Sequence, residues 1–238
     1  MDSYQIIQKY LAGRSDFQKL KLQEIELINI DLSGANFSKS DLRQSRLGKS
    51  NFSRGNFSQA NLCEAILWGT NFSNGNLSQT LLKDSDLSGA KLIETNLSGS
   101  NLMKASLCGV NLNKANLSNA ILYEADFRPI SDQLTNLGQT IWHNADLSYA
   151  NLSQASLYRA NLDGAILFRA NLSTGINNNY INTDLREASL KNVDLSYANL
   201  TGALLMNADL TGADLTGTIL DNANLTGAIM PDGMISKP

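Results

Sequence analysis

This chain has almost none of the residues that cross-link or bind metals. Its 238 residues include two Cys (Cys63 and Cys108), one His (His143), two Trp and three Pro. Two Cys cannot build a disulfide scaffold or a structural zinc site, and one His excludes a multi-histidine metal centre. No cofactor or metal is expected. The first residues lack a basic stretch followed by an apolar one, so no secretory signal is expected. No apolar run reaches the length needed to span a bilayer. These absences predict a soluble protein of a reducing cytosol, with no membrane contact. Charge is balanced, with 19 Lys and Arg against 22 Asp and Glu. Direct nucleic-acid binding normally needs a basic patch and is not expected. P-loop, dinucleotide-fingerprint, nucleophile-elbow and zinc spacings are also missing, so no enzyme activity is expected.

What is abundant is Leu (38 residues), Asn (28) and Ala (22). From Phe17 every fifth residue is large and apolar, through Leu22, Leu27 and Leu32 to Phe127. The series resumes at Leu137, runs to Leu172, and restarts in a new phase from Leu185 to Met230. Counting Asp132, where the series lapses, 39 of 42 central positions are Leu or Phe. Two residues earlier the chain carries Ala, Ser, Gly or Thr in 36 of 42 cases, and Asn or Asp usually stands between. The repeat thus reads A-(N/D)-L-x-x, as in Ala150-Asn151-Leu152-Ser153-Gln154.

A period of five fits neither a helix nor a strand. The simplest geometry that keeps Leu and Ala inward is a chain turning a corner every five residues, with four sides to a coil of 20. Coils would stack like parallel strands, about 4.8 Å apart. This pattern resembles the pentapeptide repeat family, from about Phe17 to Met230. The resemblance implies an all-β fold, a right-handed quadrilateral parallel β-helix of about ten coils, some 50 Å long at that spacing, with a short N-terminal capping helix.

A single solenoid over 1–238 is expected: a capping helix at 1–13, coils over 14–127, a loop at 128–136, coils over 137–172, a loop insertion at 173–184, coils over 185–230 and a tail at 231–238. Asp2 or Ser3 can cap the helix and Gly13 can end it. Tyr4, Ile7 and Leu11, at helical spacing, are expected to seal the first coil. At the other end, either the tail covers the last coil or its edge is open to a second subunit. Both loops are expected to bulge from the rod, as tolerated insertions or as partner contacts.

Function should lie in the two outward residues after each centre. Residues 20 apart share a face, and two faces are monotonous in Ser. A third presents Arg43, Cys63, Lys83, Met103 and Tyr123, beside Glu24, Gln44, Glu64, Asp84, Lys104 and Glu124. The next carries Ile28, Trp68 and Cys108, and an outward Trp among charges has the character of an interface hot spot. The candidate partner-binding residues are Glu24, Arg43, Glu64, Trp68, Lys83, Asp84, Met103 and Tyr123, with Asn178 and Tyr180 from the second loop. The competing reading is a solvated surface with weak ion pairs. Tyr158, Arg159, Phe168 and Arg169 are further bulky outward residues, in a register left open by the first loop.

Stretches beyond the generic repeat, among them Leu42-Arg43-Gln44-Ser45-Arg46-Leu47-Gly48-Lys49-Ser50 and Glu64-Ala65-Ile66-Leu67-Trp68-Gly69, resemble family members that restrain heterocyst differentiation in cyanobacteria. That resemblance implies a non-enzymatic monomeric cytosolic regulator. Its partner would be a regulatory protein of the differentiation pathway, such as its transcription factor. The alternative within the family is a DNA mimic that binds gyrase. Such a role wants a strong negative field, yet 11 of the 22 carboxylates sit just before a central residue, inside the repeat.

Overall fold

The structure, a computed structural model, describes residues 1–131, 133–175 and 181–237. It is a β-helix preceded by one helix, α1 (Ser3–Leu11). The residue before each centre makes a parallel bridge to its counterpart one coil on, and the bridges fall into four columns. Column one runs through Asp16, Asn36 and Asn56, and column two through Lys21, Asp41 and Asn61. Column three runs through Glu26, Arg46 and Ile66, and column four through Asp31, Asn51 and Asn71. The register is 20 residues except at the two interruptions, where Asn111 pairs with Asn136 and Ser156 with Asp184.

Each position of the repeat has its own physical reason. From Phe17 to Leu210 every central Leu, Phe or Trp is at most 2% exposed. Near the N-terminal end the core is aromatic. Phe17, Phe37 and Phe57 stack at 5.2 Å, and Phe52 and Phe72 meet them edge-on. The Asn or Asp before a centre uses Oδ1 to accept the N–H two residues on, as Asn36 does from Ser38 at 3.1 Å. That amide lies at a corner, where no neighbouring coil supplies an acceptor. Short polar side chains that bond their own backbone suit such a position.

The corner is a turn in which the N–H three residues past a centre bonds back to it, as from Ser40 to Phe37 at 3.1 Å. Its third residue has positive φ at 28 non-glycine positions among the described residues, including Lys39, Gln79 and Lys114. Left-handed backbone is disfavoured for side chains with a Cβ, and most of all for β-branched ones and proline. Both interruptions begin where the sequence puts such a residue at this place: Pro129 after Phe127, and Thr174 after Leu172. No turn forms at either point.

The first interruption does not bulge as expected. It doubles back as a hairpin, with Ile130 bridging Gln133, and lies down on column three. Gln133 Nε2 donates to the Gly109 carbonyl, and a Cβ on Gly109 would stand 2.7 Å from Ile130 Cγ1. Both interruptions close alike: the amides of Gly109 and Gln154 each donate at 2.9 Å to a Thr hydroxyl, Thr135 and Thr183, where the chain re-enters.

The ends also differ from expectation. Asp2 caps α1 through the Gln5 amide. The sealing residues, however, are Ile6, fully buried, with Ile7 and Tyr10 packed beside it, and Tyr10 Oη donates to the Ser33 carbonyl at 2.7 Å. Tyr4 and Leu11 are 71% and 73% exposed. The helix has apolar residues over a broad arc, and docking selects one edge of it. At the C-terminus the tail folds back on Ile229 through Ile235, with backbone bonds to Gly227, Ala228 and Met230 and from Gly212 to Pro231, and Leu215, Leu220 and Leu225 stay partly exposed.

Among the described residues, one buried side-chain group is left unpaired. Ser40 and Ser50, at the small-residue position, donate to the carbonyls of Phe17 and Leu27. The hydroxyl of Ser45 is buried without a partner. A buried hydroxyl without a hydrogen bond costs about 1 kcal/mol or more. Ser45→Ala should therefore raise stability by about 1 kcal/mol in urea unfolding, whereas Ser50→Ala should lower it. A lower midpoint for Ser45→Ala would show that the hydroxyl has a partner.

Candidate interaction surface

Column two collects seven of the ten residues expected from sequence: Glu24, Arg43, Glu64, Lys83, Asp84, Met103 and Tyr123. Its N-terminal half is polar and internally paired. Arg43 forks onto Asp41 at 2.9 and 2.7 Å, and this guanidinium holds the Asp41 carboxyl below the usual carboxylate range. Gln44 donates to Glu64 at 2.8 Å. Lys83 and Asp84 lie 3.7 Å apart, and Lys104 and Glu124 3.5 Å. These contacts are exposed and screened, so each contributes little to stability. Gln23, Glu24, Arg43, Gln44 and Glu64 line a shallow groove. Burial pushes the Cys63 thiol up, which makes it a poor nucleophile.

Trp68 stands on column three, at the neighbouring corner. It lies flat on the coil below, where a Cβ at Gly48 would be 2.8 Å from its Nε1. Lys49 Nζ sits over the ring, 4.6 Å from the centroid. Trp68 is 43% exposed. Asn178 and Tyr180 lie outside the described residues.

The C-terminal half of column two holds what the sequence reading missed. The register across both interruptions puts Tyr149, Phe168 and Tyr197 in line with Tyr123. Their rings meet in succession at 5.4, 5.6 and 5.9 Å, inclined steeply to one another. Arg169 lies 5.3 Å from the Phe168 centroid and 5.7 Å from that of Tyr197. Leu81, Ile121 and Ile166 belong to the same column, each about 40% exposed. The signal was in the sequence: an interruption confined to one corner leaves the columns aligned once its extra residues are removed.

Among the described residues, no group of three His, Cys, Asp or Glu side chains could hold a metal ion. No helix among them is long and apolar enough to cross a membrane. Column two carries aromatic rings, aliphatic side chains and charged groups.

Five-residue corners, a Leu core and a 20-residue bridge register define a pentapeptide solenoid. The family model for pentapeptide repeats matches in eight copies, over residues 14–48, 45–79, 71–107, 100–128, 135–173, 176–205 and 203–232. The chain belongs to the pentapeptide repeat family. It is similar along almost its whole length to HetL, a pentapeptide repeat protein involved in heterocyst differentiation regulation from the cyanobacterium Nostoc sp. strain PCC 7120. The identity is 55%, covering 99% of this chain and 100% of that one, with a TM-score of 0.98. QnrB1, a plasmid-mediated fluoroquinolone resistance protein, is 20% identical over 82% of this chain and 91% of its own, with a TM-score of 0.37. No curated protein sequence matches.

Proposed function

We propose that this protein is a non-enzymatic cytosolic regulator of heterocyst differentiation. It acts as a monomer that restrains the process by binding another regulatory protein of the pathway, such as its transcription factor. The observation that carries this reading is the likeness to HetL over nearly the full length of both chains. The four bridge columns support a right-handed, square-sectioned rod of about ten coils, which offers convex faces suited to docking rather than to enclosing a substrate. Column two is the surface that this reading assigns to the partner, because outward residues there are large and varied, where column one repeats Ser38, Ser58, Ser78, Ser98 and Ser118.

The test is a strain of heterocyst-forming cyanobacterium carrying extra copies of the gene, with heterocysts counted after nitrogen step-down. Fewer heterocysts are expected, with the count restored when the extra copy carries Arg43→Glu and Tyr149→Ala together. An increased count would reverse the direction of regulation. An unchanged count would remove the reading.

A further inference from the structure

The aromatic half of column two has a repeat, a charge pattern and an exposed apolar character that together restrict what can sit on it. The ladder from Tyr123 to Tyr197 spans four successive coils, about 14 Å at the usual strand spacing. An α-helix laid along the rod advances about 5.4 Å per turn, so one turn falls on each coil with a mismatch of only about 0.6 Å. An extended strand presents same-face side chains about 6.6 Å apart and falls out of step within two coils. A contiguous apolar surface on a water-facing rod marks a contact site.

The charges select the partner further. The bridging line of this column reads Ile121, Asp146, Ile166, Asp194 and Asp214. Each of the three Asp residues accepts hydrogen bonds through Oδ1, from Ser148, Ser196 and Thr216 respectively. Among the described residues, none of their Oδ2 atoms has a hydrogen bond and none of the three pairs with a cation. Arg169, the cation within the ladder, is turned onto the rings. Aromatic faces and unpaired carboxylates both attract cations.

We propose that this half of column two seats an α-helix of the partner protein, one whose apolar stripe is flanked by Lys or Arg. Its apolar side chains lie between the rungs Tyr123, Tyr149, Phe168 and Tyr197, and its cations reach Asp146, Asp194 and Asp214. The proposal rests on column two being the partner surface, and it adds the shape and charge of the occupant.

Three labelled peptides of about 21 residues test it by fluorescence anisotropy on the full chain. One is helical with a Leu stripe flanked by Lys. The second has Glu in place of Lys, and the third has the first one's composition arranged in strand alternation. The Lys helix should bind at least tenfold tighter than the others and weaken as salt rises. Phe168→Ala with Tyr197→Ala should cost at least tenfold, while Ser58→Ala with Ser78→Ala on column one should not. Equal binding of the three peptides, or an unchanged affinity in the column-two variant with an unchanged unfolding midpoint, overturns the proposal. If the peptides fail and the heterocyst count still responds to column two, only the helical occupant is wrong. If the count fails too, the functional reading falls with it.

Discussion

Leu107→Asp is expected to abolish cooperative folding of the rod. Leu107 is 1% exposed and stands in column three with Leu87 below and Phe127 above, so a carboxylate there has only apolar neighbours along the stack. Truncation to Ala alone would cost about 3 kcal/mol through lost contacts and the cavity left behind. Asp adds the removal of a charged group from water, or its protonation with an unpaired polar atom, worth several kcal/mol more. A solenoid makes the consequence larger. Each coil is stabilised by its two neighbours, and a broken coil exposes two new apolar edges. Circular dichroism in urea should show loss of the single transition, or insoluble protein. A midpoint within 0.5 M of wild type would mean that the core is not continuous through this coil. Leu107→Met, nearly volume-conserving, should cost less than about 1.5 kcal/mol and controls for the site itself.

The column arrangement of the first half was legible because every position repeats without interruption from Phe17 to Phe127. Arg43, Lys83, Met103 and Tyr123 could be aligned by adding 20, and the bridges put them together. Two things escaped. The aromatic ladder is hidden because the two interruptions leave at one corner and lengthen the register, pairing Asn111 with Asn136 and Ser156 with Asp184, so that adding 20 does not carry Tyr123 to Tyr149 or Phe168 to Tyr197. The docking edge of α1 was hidden because Tyr4, Ile6, Ile7, Tyr10 and Leu11 spread over too wide an arc for spacing to choose between Ile6 and Leu11. Trp68 shows a third limit. Its outward position was readable, but its lying over Gly48 depends on the coil below lacking a Cβ.

Gln79 provides the sharpest test of why the chain turns. Its φ is +57° and its amide donates to Ser98 O at 2.9 Å. Gln79→Pro fixes φ near −65° and removes that donor. It recreates at the Leu77 turn what Pro129 does after Phe127, but without the extra residues and the Thr hydroxyl that close the natural interruption. The expected loss is about 3 kcal/mol or more, comparable to proline inside a helix. Gln79→Gly goes the other way at the same atom. Relief of the left-handed strain is worth about 1 kcal/mol. It is offset by the greater freedom of glycine in the unfolded chain, also up to about 1 kcal/mol, and by loss of the 2.9 Å contact from Gln59. The Gly variant should therefore stay close to wild type in urea while the Pro variant falls far below it. Because Gln79 lies two coils from Tyr123, the first rung of the ladder, neither change should alter peptide affinity in the folded protein. If Pro were tolerated at 79 as well as Gly, the positive φ would not be what sets the corner. The coincidence of both interruptions with Pro129 and Thr174 would then need another cause.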